Sequence, residues 1–273
     1  MLFNDLGRVI PSDDCRVFAN AERDFYKLNT CNFDYGMQHP NALRLNLINK
    51  KFDLSKINEI NGEIRTAIEA SKEYQKALKG PSISFAMSLD FLPDDVGEQL
   101  EDCLLPLLKT TFEESSEGAW FKATIQGNNQ LKKSLQVAPG TGYKEFLAAV
   151  KRTAVVGVYF PTALQEYDIP SQRRQLKRLP PLDNYEICIS GHLETIYSIL
   201  MYPNLLNHPS KYSPILTASS LIHSDDRMVP LFKSYGPHFE FWLLSQMMTA
   251  DQTQVSEQWA GGITIYTTLD EQA

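Results

Sequence analysis

The sequence has no pair of cysteines spaced C-x-x-C, no run approaching about 18 apolar residues, and none of the compact signatures of catalysis. Each absence excludes a class. Cys15, Cys31, Cys103 and Cys188 are scattered along the chain, so neither a disulfide framework nor a clustered zinc site is expected. They read as buried free thiols of a reducing compartment. Without a long apolar run there is no membrane-spanning helix. The opening stretch MLFNDLGRVIPSDD is too acidic, and its apolar part too short, for a signal peptide. The expectation is a soluble, cytoplasmic chain with no membrane partner. The patterns G-x-S-x-G and H-E-x-x-H are missing, as is a Walker phosphate loop. Glu145 also breaks the dinucleotide pattern that Gly140 and Gly142 begin. No cofactor and no metal are expected.

What is present is ordinary in amount and unusual in arrangement. Hydrophobic residues make up 43% and charged residues 22% of the 273 positions, as in typical globular proteins. A chain of this length buries a sizeable core without a staple, and one globular domain over 1–273 is predicted. The net charge of −7 is unevenly spread. Residues 1–118 and 181–273 are each acidic, whereas 119–180 hold ten Lys and Arg against Glu145, Glu166 and Asp168. Two readings follow. The basic segment neutralises the acidic flanks inside the fold, or its cations gather on one face for an anionic partner. For the second, Lys132, Lys133, Lys151, Arg152, Arg173, Arg174, Lys177 and Arg178 are the candidates. The acidity of the whole chain weighs against nucleic acid.

Residues 1–52, rich in Asn and Asp, predict an irregular N-terminal arm with a short strand at Ala42–Ile48. Ile57, Ile60, Ile64 and Ile68 recur at helical spacing and predict a helix over 55–79, capped by Ser55 and stopped by Gly80-Pro81. Alternation of Ile83, Phe85, Met87, Leu89 and Phe91 predicts a half-buried strand over Ser82–Phe91. A helix near Asp94–Glu114 should kink at Pro106. Ala119–Gln126 and Leu131–Val137 read as a hairpin about Gly127-Asn128-Asn129. A helix at Tyr143–Arg152, a central strand at Ala154–Phe160 and a long loop near 161–184 with a helical turn at Ser171–Lys177 follow. Tyr185–Ser190 reads as a strand leading into a helix at His192–Met201. Ile215–His223 is ambiguous, Pro237–Thr249 reads as an apolar helix, and Ile263–Leu269 as the last strand. Hairpins and helices mix without regular β-α alternation, which predicts an α+β fold with a mixed or mainly antiparallel sheet and several packed helices.

Four constellations could carry chemistry. His223-Ser224-Asp225-Asp226-Arg227 sets carboxylates beside a histidine, and Gly191-His192-Leu193-Glu194 sits at a strand-to-helix junction where backbone N–H groups favour anions. Pro139-Gly140-Thr141-Gly142 precedes a helix and reads as a plain turn. The aromatic run Tyr235–Trp242 reads as core. The favoured function is a non-enzymatic binding or assembly protein that meets an acidic protein or nucleic acid through segment 122–178. The irregular arm and the apolar C-terminal helix leave room for a homo-oligomer. The alternative is a hydrolase or transferase using His192 or His223 with Asp225 or Asp226.

Overall fold

The computed structural model describes residues 2–115, 118–124, 131–208, 212–225, 228–245, 248–249, 252–253 and 255–269. In chain order the elements are α1 (Tyr35–Arg44), α2 (Leu54–Ala70), β1 (Ile83–Met87) and α3 (Val96–Glu98), the last running through a π-helical stretch, Gln99–Leu104, into α4 (Leu105–Ser115). Next come β2 (Trp120–Thr124), β3 (Leu135–Val137), α5 (Tyr143–Arg152), β4 (Ala154–Gln165), α6 (Ile169–Arg174), β5 (Glu186–Ile189) and α7 (His192–Met201). The chain ends with β6 (Ile215–Thr217), β7 (Leu221–His223), β8 (Met228–Tyr235), β9 (His238–Ser245), β10 (Met248–Thr249), β11 (Gln252–Thr253) and β12 (Trp259–Leu269).

The fold is α+β. Eight strands form one sheet in the order β1-β4-β12-β6-β8-β9-β2, with β5 also on β12. Among the described residues only its β12–β6 and β2–β9 pairs are parallel. One edge of β12 is covered by β4, with a register shift between Gly261 and Ile263; the other is shared by β6 and β5. All twelve residues of β4 are buried, as expected of a strand covered on both faces. Helix α7 is buried along its whole length. Its Tyr197, like Phe146 of α5, packs edge-on against Phe85 of β1.

Helix α2 forms because Ile57, Ile60, Ile64 and Ile68 make one buried stripe. Its cap is Asp53, whose side chain accepts from the Ser55 N–H, so the cap lies two residues before the one expected. The helix also ends early, at Ala70. The Ser71 hydroxyl accepts from the Tyr74 N–H at 3.3 Å, and the buried Tyr74 donates to the Pro180 carbonyl at 2.6 Å, which turns the chain into a 3-10 segment, Gln75–Lys79. A local side-chain bond of this kind competes with helix continuation.

Three expectations fail for tertiary reasons. Ala42–Ile48 is the end of α1 and a turn. Asp34 caps that helix by accepting from Gly36 N–H, and Asn46 has a φ of 56°, so the Leu43, Leu45, Leu47 alternation belongs to no strand. The expected hairpin over 119–137 is two strands in different sheets. β2 runs parallel to β9, β3 pairs antiparallel with β7, and residues 127–129 lie outside the described residues. Pro237–Thr249 is strand in place of helix. Gly236, at a φ of 60°, turns the chain so that Tyr235 faces His238. Phe239 and Phe241 then point into the core at period two. Phe241 is the residue a helical stripe leaves out, and it is fully buried. In the stretch expected as loop, β4 runs on to Gln165 and Asp168 caps α6 by accepting from Ser171 N–H at 2.7 Å.

Candidate functional site

Asn58, Asn61, Gly62 and Arg65 are spaced three and four residues apart on α2, so they share one face of it. That face meets Ser82, at the entry to β1, and Ser84 within it. The segment Cys31–Tyr35 closes the third side, and the cleft so formed has a volume of about 480 Å³, within the range of small-ligand sites. Half-buried Arg65 is held by neutral groups. Its Nε and Nη2 donate to Ser84 Oγ at 3.2 and 3.1 Å, Nη1 to Ser82 Oγ at 3.2 Å, and Nη2 to the Ser82 carbonyl at 3.0 Å. It makes no ion pair among the described residues. Burial pushes its pKa down, and the more distant Glu69 offsets this only in part.

Asn61 is the second irregularity. It is 6% exposed, and both its Oδ1 and its Nδ2 are buried without a hydrogen-bond partner. Buried amide groups are almost always paired, and this one borders the cleft. Gly62 is the third. A Cβ built there would meet nothing within 4 Å, so the helix carries its least favourable ordinary residue where the cleft is open.

A second compartment of about 540 Å³ adjoins the first and shares Cys31, Phe33 and Ser82 with it. Its cations are matched. Arg8 pairs with Glu166 at 2.8 Å, Lys27 with Asp24 at 2.7 Å, and Lys79 with Asp5 at 2.7 Å. Burial raises the Glu166 carboxyl to about 7 in spite of Arg8. Gln165, in the wall, donates to the Tyr26 carbonyl at 3.2 Å while its Oε1 is buried without a partner. The exposed thiol of Cys31 lies at the junction; of the four cysteines only Cys188 is fully buried, which corrects the expectation of four buried thiols.

The residues singled out from sequence fall elsewhere. Lys132 pairs with Asp102 at 2.8 Å, Lys151 pairs with Asp94, and the Lys133 backbone N–H donates to Asp95. Arg152 is exposed beside Lys151 at the end of α5. Arg173 donates to the carbonyls of Ser219 and Leu221 at 2.9 and 2.8 Å. Arg174 reaches the Asp14 carbonyl, Arg178 reaches Gln175 Oε1, and Lys177 is exposed. Gly142, at the start of α5, approaches Leu176. The two basic groups are therefore set at opposite ends of that ten-residue helix, about 15 Å apart.

His192 is fully buried, with Nε2 at 3.0 Å from Gln99 Oε1 and Nδ1 at 3.4 Å from the Tyr143 hydroxyl. Burial drives its pKa down to about 3. Next to it the Glu194 carboxyl, also fully buried, accepts from Thr264 Oγ1 at 2.9 Å and is pushed up to about 7. This network joins α7 to β12 and borders neither of the two compartments. His223 accepts from the Asp225 N–H at 3.0 Å in a turn, with Asp226 and Arg227 outside the described residues. Pro139–Gly142 is a turn tied to β5, where Ile189 N–H donates to the Thr141 carbonyl at 2.8 Å. Among the described residues no three His, Cys, Asp or Glu cluster as metal ligands, and no helix is long and apolar enough to cross a membrane.

Sequence reasoning passed over Asn61, Gly62 and Arg65. The signal was there in part. Asn61 stands four residues after Ile57 and three before Ile64, a polar residue inside an apolar arc, and Gly62 interrupts the same helix. Comparison with protein-family models, with curated proteins and with solved structures returned no match.

Proposed function

We propose that the protein binds a small anionic ligand in the cleft between α2, β1 and the 31–35 segment. Its negative group sits on Arg65 and its polar atoms pair with Asn61. The observation that carries this reading is a guanidinium without a counter-ion beside a buried carboxamide without a partner. Four of the five guanidinium N–H groups already donate to Ser82 and Ser84, so an anion would engage the remaining Nη1 N–H and the unmatched positive charge. A bound anion would supply the charge that burial makes scarce here, and a ligand hydroxyl or carbonyl would satisfy Asn61. The charge of the partner is that expected from sequence, while its kind, a small molecule, differs from the nucleic acid or acidic protein expected there. The place differs, because Lys132 and Lys151 are engaged by carboxylates and Arg173 by carbonyls.

Titration calorimetry with ribose 5-phosphate, on the full chain and on Arg65→Met, tests this. Binding that weakens about tenfold or more in the variant supports the reading. Equal binding by both proteins overturns it, as does no binding by either. Lys132→Ala/Lys133→Ala/Arg152→Ala, which leaves the cleft intact, serves as the contrast. A loss there alone would return the anion site to the basic segment.

A further inference from the structure

The two compartments differ in how their charges are matched, and this difference describes the ligand. Around Arg65 a cation lacks an anion. In the adjoining compartment Arg8, Lys27 and Lys79 each already hold a carboxylate, so a second anionic group would find no unmatched charge there. That compartment offers two other things. Gln165, 1% exposed, lines it, and its Oε1 is buried there without a donor. Tyr26, in the same wall, belongs to a cluster of three rings in which its centroid lies 5.1 Å from Phe25 and 6.3 Å from Tyr212. Phe25 and Tyr212, 45% and 68% exposed, pack on Tyr26 from outside the compartment's lining.

We infer that the ligand is a ribonucleoside monophosphate, with its phosphate on Arg65 and its base in the compartment walled by Tyr26 and Gln165. This rests on the reading of Arg65 given above. Flat heterocycles stack on aromatic side chains whatever their sequence identity, and a ring N–H or exocyclic amine is the donor that Gln165 Oε1 lacks. The compartments have Cys31, Phe33 and Ser82 in both walls, so they lie side by side, and the inferred nucleotide lies across them.

The test titrates the full chain with the four ribonucleoside 5′-monophosphates, with ribose 5-phosphate and with adenosine. At least one nucleotide is expected to bind about tenfold or more tightly than ribose 5-phosphate. Tyr26→Ala should remove that advantage and leave ribose 5-phosphate binding unchanged. Tyr26→Leu, which keeps apolar bulk, serves if the alanine variant does not fold. Ribose 5-phosphate binding as tightly as every nucleotide overturns the inference while leaving the Arg65 reading in place. Nucleotide binding indifferent to both Tyr26 and Arg65 overturns both, and so does binding of none of the ligands.

Discussion

Asn61 and Arg65 stand one turn apart on the same face of α2, and their hydrogen-bonding states are opposite. The guanidinium of Arg65 makes four hydrogen bonds to Ser82 and Ser84, while the carboxamide of Asn61 makes none. A helix that otherwise buries isoleucines thus sets beside its cleft one cation without an anion and one buried amide without a partner.

Asn61→Leu is expected to raise stability. It replaces an unpaired buried amide by an apolar group of similar size, which removes a desolvation cost of about 1–3 kcal/mol. Urea denaturation should show a higher midpoint with an unchanged slope. The same variant should lose ribose 5-phosphate binding, the pattern of a residue kept for function at a cost in stability.

Gly62→Ala should stabilise the fold by about 0.5–1 kcal/mol, since the position is helical and a Cβ there meets nothing within 4 Å. Gly62→Trp should fold equally well and block the cleft. Denaturant melts paired with ligand titration separate the two effects. A Gly62→Trp protein that still binds ligand would place the ligand elsewhere.

Arg173→Ala is expected to cost about 2–4 kcal/mol, because the guanidinium donates to two backbone carbonyls that would lose a charged donor. Ligand affinity at Arg65 should not change. A thermal melt with a calorimetric titration at a permissive temperature checks both.

Stability should fall as pH rises from about 4.5 to about 7. Burial raises the Glu194 carboxyl from 4.5 to about 7, so the folded chain holds a proton that the unfolded chain has released. The contribution is fully present below the unfolded pKa and is lost as pH climbs through the folded one, an effect of roughly 3 kcal/mol for this group. Glu166, raised in the same direction by burial, adds a slope of the same sign, and His192, lowered by burial from 6.5 to about 3, adds one of opposite sign that offsets part of the fall up to the histidine's unfolded pKa. Glu194→Gln should leave Glu166 and His192 opposing each other, so urea melts between pH 4 and 8 should show most of the fall removed. A pH-independent wild type would overturn the assignment.

The sequence by itself determined the elements whose pattern is local. The isoleucine stripe of α2, the span of α5 at Tyr143–Arg152, the helix His192–Met201 and the α+β class follow from periodicity and from caps within a few residues. Only the tertiary structure decided β9 and the parallel pairing of β2. Phe239 fits a helical stripe with Trp242 and Leu243 as well as a strand with Phe241, until Phe121 and Phe232 stand opposite Phe239 and Phe241. The site was decided in the same way. Charge along the chain drew attention to the basic segment, but charge is neutralised in space, and Asp94 and Asp102 reach Lys151 and Lys132 from the acidic flank. Arg65 carries the same charge as those lysines. What sets it apart is that folding surrounds it with hydroxyls and a carbonyl where they meet carboxylates.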